Sequence, residues 1–260
     1  METTLIITDI TRMNHGNVCV AGVNREGKTI RPLFEYRGIP EDWLYENGKC
    51  VVQPFTEITL DLVKHHPQPP HTEDWIMDDK KISCMATPDM RKRRDLLQKI
   101  CDKSVSAIFN TEIHDDHGHY TPAGEGERSM GTIFVRYLRA FKHRCYQGMW
   151  DYRIGFDDFA SGTYWLKIND LTFRYYIDYL REQEQIDCNE IEKRLTTLLR
   201  QRDVFLRIGL ARRWKDNLDR CYLQITGIYS FPDYLEGKCH ADYRPQPNAQ
   251  PFEDTAEPPF

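Results

Sequence analysis

Along Val18-Cys19-Val20-Ala21-Gly22-Val23 both alternating sets are apolar, which suits a strand with both faces partly covered rather than a solvated ribbon. Leu5-Ile6-Ile7-Thr8-Asp9-Ile10 supplies a strand before it, and Asn24-Arg25-Glu26-Gly27 reads as a hairpin turn with Gly27 free to take a positive φ. A third strand then ends in Arg31-Pro32, so a three-stranded meander opens the chain, as it does in small barrels. Ile39 to Trp43 predicts a single helical turn, with proline and acids suited to its start. Cys50 to Phe55 and Ile58 to Val63 predict further strand. His65 to His71 reads as a stiff extended segment because its prolines exclude helix, and it delivers Trp75 to pack back on the barrel.

Pro88 to Lys103 predicts a helix with Met90, Leu97, Ile100 and Cys101 as its apolar stripe, and 110–128 lacks any period and reads as a loop. Strands follow at Ser129 to Cys145, Tyr152 to Phe156 and Tyr164 to Ile168. Asp170 caps a helix whose Phe173, Tyr176, Ile177 and Leu180 repeat at helical spacing, and a second helix runs from Asn189 to Arg202. Val204 to Leu210 and Cys221 to Ile228 close the pattern, joined by a loop over 211–220.

Three strands, a helical insertion and two strands are the order of an OB-fold, and the first half repeats the plan with a reduced helical turn. The fold class is therefore mainly β with α insertions (α+β), arranged as two tandem OB-like small barrels. Residues 1–80 form the first and 129–235 the second, with a helix and loop linker at 81–128. The Pro-rich segment 236–260 reads as a disordered tail.

The 260 residues carry 40% apolar and 12% aromatic side chains, as folded proteins do. No apolar run is long enough to span a bilayer, so a cytoplasmic protein without membrane contact is expected. Eight scattered cysteines include no C-x-x-C pair, which favours buried free thiols over a zinc ribbon. A net charge of −5 excludes a global basic field, yet 136–153 and 207–220 each hold five Lys or Arg against one and two acids.

Gly16 to Gly22, Gly27 to Pro32 and Pro70 to Trp75, followed by Phe205 to Leu210 and Cys221 to Ile225, resemble the dual OB-domain family. Thr29 stands where that family has tryptophan. The resemblance implies tandem OB barrels that bind nucleic acid, encoded near prokaryotic conflict and defence genes. A defence effector such as a helicase or nuclease is the partner it implies.

OB barrels hold single strands on their second and third strands and on two loops, where cations neutralise phosphate and rings stack on bases. Candidate contacts are Arg31 in the first barrel and Arg144, Tyr152, Arg153, Trp165, Lys167, Arg212, Arg213, Trp214 and Lys215 in the second. Against this, Tyr152 and Trp165 could be core, and Arg31 could serve a structural ion pair. His114, Asp116, His117 and His119 have metal-ligating chemistry, but a loop gives them no rigid support, so a solvated loop is favoured and no metal or cofactor is assigned. Neither a phosphate-binding Gly-Lys loop nor a serine nucleophile elbow occurs, and no catalytic residue is assigned. A metal-dependent hydrolase or nucleotide-processing enzyme on the His114 loop, or a protein-protein adaptor, are the alternatives to a single-strand-binding module.

Overall fold

A strand that must pair on both sides along its length has to bend, and the first strand does. The computed structural model describes residues 1–84, 89–213 and 217–245. Strand β1 (Glu2–Arg12) pairs with β2 (Asn17–Val23) through Ile6 to Arg12, and a register shift between Ile7 and Asp9 marks the bend. Gly22 sits at that crossing, where a Cβ would lie 2.6 Å from the carbonyl oxygen of Ile6, so no larger residue fits. Strand β3 (Thr29–Leu33) continues the meander across the expected turn, with Gly27 at φ +82°.

Strand β4 (Glu57–His65) pairs antiparallel with the first half of β1, and β5 (Asp74–Cys84) pairs antiparallel with β4 and parallel with β3. The ring β1-β2-β3-β5-β4 is thus a closed five-stranded barrel. Leu5, Ile7, Val20, Ile58 and Leu60 fill it, each fully buried.

Two expectations for this half need correction. Strand ends at Cys50 rather than continuing to Phe55, because Pro54 offers no N–H and Phe55 turns into the left-handed region at φ +68°. The charged run Asp78 to Lys81, in contrast, lies within β5, where the sequence had suggested no strand. Trp75 does pack back, stacking on His65 at 4.6 Å between centroids.

Helix α1 (Met90–Lys99) is capped by Asp89, which accepts from the Lys92 N–H at 2.9 Å. Its predicted start at Pro88 lies outside the described residues, and it stops short of Lys103. A short α2 (Val105–Phe109) follows, then β6 (His119–Pro122) and the broken strand β7 (Met130–Phe134) and β8 (Tyr137–Tyr146). Cys101–Asp102 leaves the helix early because it pairs parallel with β7. Strands β9 (Met149–Asp157) and β10 (Thr163–Ile168), helices α3 (Leu171–Glu182) and α4 (Cys188–Arg200), and strands β11 (Asp203–Leu210) and β12 (Arg220–Phe231) complete the chain order.

The second sheet runs β8-β9-β10-β12-β11-β7, with β10 parallel to β12 as β3 is to β5. The strand expected from Ser129 to Cys145 is interrupted. At the break the Val135 N–H donates to Val204 of β11 at 2.9 Å, and the Arg136 N–H to Asp157 of β9 at 3.0 Å. One bent segment therefore meets both flanks, as β1 does in the first half.

The segment 110–128 is not a bare loop, since β6 extends the sheet on β12 and folds back on His114–Asp115. Nor is 236–245 disordered. Tyr243 is buried against Tyr176 and Tyr179 of α3, and Arg244 pairs with Glu41 at 2.8 Å and Asp42 at 2.7 Å. The rest of the expected tail, 246–260, lies outside the described residues.

The halves share one apolar cluster and a buried ion pair. Asp9 of β1 faces Arg207 of β11 at 2.9 Å, both 1% exposed, and Thr226 donates to the same carboxylate at 2.5 Å. Among the described residues no helix is long and apolar enough to cross a membrane.

Candidate nucleic-acid interface

Where β1, β2 and β3 of the first barrel meet the ends of β10, β11 and β12, the backbones leave a cavity of about 410 Å³. Its floor is laid by Thr11, Cys19, Asn169, Gln224 and Thr226. Arg12 enters at the end of β1, Arg31 from β3, Arg37 from the turn after β3, Lys167 from β10, and Arg212 and Arg213 from the loop after β11. No Asp or Glu lies among the described lining residues.

Asp74, fully buried at the start of β5, organises the centre. Its carboxylate accepts from Arg31 Nε at 2.6 Å and from Arg212 Nη2 at 2.5 Å, so one acid ties a cation of each half. Glu73 beside it accepts from the Ser129 N–H at 2.5 Å and hydroxyl at 3.1 Å, which anchors the same corner to the second sheet. Arg31 is 5% exposed and its Nη2 has no hydrogen-bond partner, while Arg212 is 44% exposed. A buried guanidinium N–H left unpaired is costly, and an acceptor entering the cleft would satisfy it.

His71 reports the local potential. Its ring is buried in an adjoining cavity of about 440 Å³ that Arg212 and Arg213 also line. Burial, together with the charges of Arg31, Arg212 and Arg213, pushes its pKa down to about 2, so the ring stays neutral. Burial likewise pushes the Cys19 thiol up, against the pull of Arg31, and keeps it protonated.

Rings stand nearby. Phe34 lines the cavity with Arg37 4.4 Å above its face, and Tyr36, between them in sequence, is 91% exposed.

Of the residues picked from sequence, Arg31, Lys167, Arg212 and Arg213 converge here. Trp214 and Lys215 lie outside the described residues. The others lie elsewhere, and the reason is packing. Tyr152 is core, 1% exposed, with its hydroxyl donating to Asp178 and its ring under Arg174, so it has no free face for a base. Arg153 pairs with Asp151 at 2.6 Å, and Arg144 is an exposed residue of the β8–β9 ladder opposite Asp151. Trp165 is 38% exposed but lies across Gly155, where a Cβ would come within 2.6 Å of the indole.

Arg12, Tyr36 and Arg37 were missed, although Arg12 directly precedes the first loop and Arg37 follows β3.

The histidine run does not converge. His114 stacks on Tyr120 at 5.3 Å, His119 meets Tyr164 at 5.0 Å, Asp116 pairs with Arg220 at 2.8 Å, and the His117 side chain is 90% exposed. Among the described residues these side chains form no three-ligand group.

A comparison with curated proteins gave no match. Residues 4–228 match the family model of the dual OB-containing domain, and with a closed barrel in the first half and the same strand order in the second, the chain belongs to that family.

Proposed function

We propose that the chain is a tandem OB module, its second barrel closing through the break at Val135 and Arg136, and that the cleft between barrels binds single-stranded nucleic acid. One observation carries this reading: among the described residues six cations and no carboxylate line the cleft of a protein whose net charge is −5, and Arg31 and Arg212 share the carboxylate of Asp74 behind it. Arg31, Arg212, Arg213 and Lys167 contact phosphates, and exposed Tyr36 stacks on a base at the rim. About 410 Å³ is room for roughly one nucleotide inside the cleft, which a flexible single strand can place there while its flanking phosphates stay at the exposed loop of Arg212 and Arg213.

That volume also favours a second reading, a mononucleotide as the ligand. Fluorescence anisotropy with labelled single-stranded DNA and RNA dodecamers separates the two. Under the first reading a dodecamer binds and nucleoside monophosphate competes weakly; tight monophosphate binding without oligomer binding supports the second. Binding of neither would overturn both. Extension to a partner helicase or nuclease acting on the held strand rests on the family resemblance.

A further inference from the structure

Outside the cleft, the C-terminal segment brings three soft or borderline ligands together. Cys50 ends the small Tyr45–Glu46/Lys49–Cys50 hairpin, and Cys239 and His240 begin the 3-10 turn that docks on α3. Their ligating atoms all lie within 4.8 Å of one another, and Cys50 Sγ is 3.5 Å from His240 Nε2. A tetrahedral ion with Zn–S of about 2.3 Å and Zn–N of about 2.05 Å spans a sulfur-to-nitrogen edge of about 3.5 Å.

The surroundings fit a metal better than they fit a bare cluster. His240 is fully buried, and among the described residues its Nδ1 has no hydrogen-bond partner while the Cys50 sulfur is the neighbour of Nε2. An imidazole buried so poorly is costly unless something else binds it. Cys239 Sγ accepts from the Asp242 N–H, and the Cys50 thiol donates to the Val52 carbonyl at 3.5 Å, so both sulfurs are held in place by backbone.

We propose that Cys50, Cys239 and His240 bind one Zn²⁺, with water in the fourth position, as a staple between the first half and the C-terminal segment. Two thiolates and a neutral imidazole balance the dication, and binding releases the protons of both thiols to solvent. The ion pairs of Arg244 with Glu41 and Asp42 lock the same two segments alongside. Thiolate and imidazole donors in tetrahedral array select zinc over the hard cations.

The test uses the reduced full chain loaded with Zn²⁺ or Co²⁺. One equivalent of Co²⁺ is expected to give thiolate-to-metal charge-transfer absorption and the intense visible bands of a four-coordinate ion. Cys50→Ser and Cys239→Ser should each lose these bands, while Cys145→Ser, at an exposed position, keeps them. Because either serine variant could unfold, mass-spectrometric alkylation of the unaltered chain is the second readout: Zn²⁺ should protect Cys50 and Cys239 selectively among the eight cysteines. Unchanged alkylation of both, a six-coordinate cobalt spectrum, or a Cys50–Cys239 disulfide without bound metal would overturn the proposal.

Discussion

Replacing Arg212 and Arg213 together with alanine removes two of the six cleft cations without orphaning an acid. Asp74 keeps its bond from Arg31 at 2.6 Å, but its buried second oxygen loses the Arg212 donor, so the change should cost folding about 1–3 kcal/mol. Binding should respond in its salt dependence. Each single-strand phosphate neutralised adds about −0.7 to the slope of log affinity against log salt. With about four phosphates engaged the slope is about −2.8, and with two it is about −1.4. Between roughly 50 and 200 mM salt the parent should therefore lose about 50-fold in affinity and the variant about sevenfold. The assay is anisotropy of a labelled dodecamer at four salt concentrations, with thermal melting as the folding control. Parallel slopes for parent and variant would refute the cleft. A double change of Arg144 and Arg153 to alanine, outside the cleft, should leave the slope unaltered; if it flattens the slope instead, the β8–β9 ladder is the binding face.

Tyr36→Ala removes the exposed ring between the cleft residues Phe34 and Arg37 in sequence and should weaken oligonucleotide binding by about 1–3 kcal/mol with no change in melting temperature; equal affinities would exclude stacking there. Asp9→Ala leaves Arg207 buried without its carboxylate and should cost about 3–5 kcal/mol in urea denaturation, and a loss under about 1 kcal/mol would contradict the buried pair. Burial pushes Asp170 up to about 7 from an ordinary 3.8, so the folded chain holds a proton that the unfolded chain releases. Its contribution to stability is full below pH 3.8 and is lost as pH rises to about 7, by about 4 kcal/mol at most. Asp170→Asn should flatten the pH profile of stability over that span, and parallel profiles would reject the assignment.

Most of the strands were legible because each predicted strand carries its own run of apolar residues and each turn its own chemistry, as at Asn24 to Gly27. What escaped was set by tertiary pairing. Strand β5 hides behind Asp78 to Lys81, because backbone pairing with β3 and β4 makes it a strand, not apolar alternation. Hairpin β6 forms because the edge of β12 accepts it, which no local pattern announces. At the site, arginines were legible as a type but not as partners. Arg212 and Arg213 reach the cleft while Arg153 spends its charge on Asp151, and only the fold decides which. Tyr152 looked like a stacking ring for the same reason: its alternation in β9 gives no sign of which face is core. Cys50 and Cys239 stand 189 residues apart, far beyond any local ligand spacing.

An acidic chain can present a basic cleft because its nearby acids are turned inward. Asp9 is held by Arg207 and Thr226, Glu73 by Ser129, and Asp74 by Arg31 and Arg212, and all three are at most 5% exposed. Beyond a Debye length of about 8 Å the surface carboxylates that make the total negative are screened from a ligand in the cleft. The six cleft cations together then set the field a phosphate meets. The acids that remain close do a different task, since Asp74 fixes two guanidinium groups from opposite halves before any ligand arrives. Preorganised donors lose little entropy on binding, so the same carboxylate that subtracts one charge from the cleft also lowers the cost of using the rest.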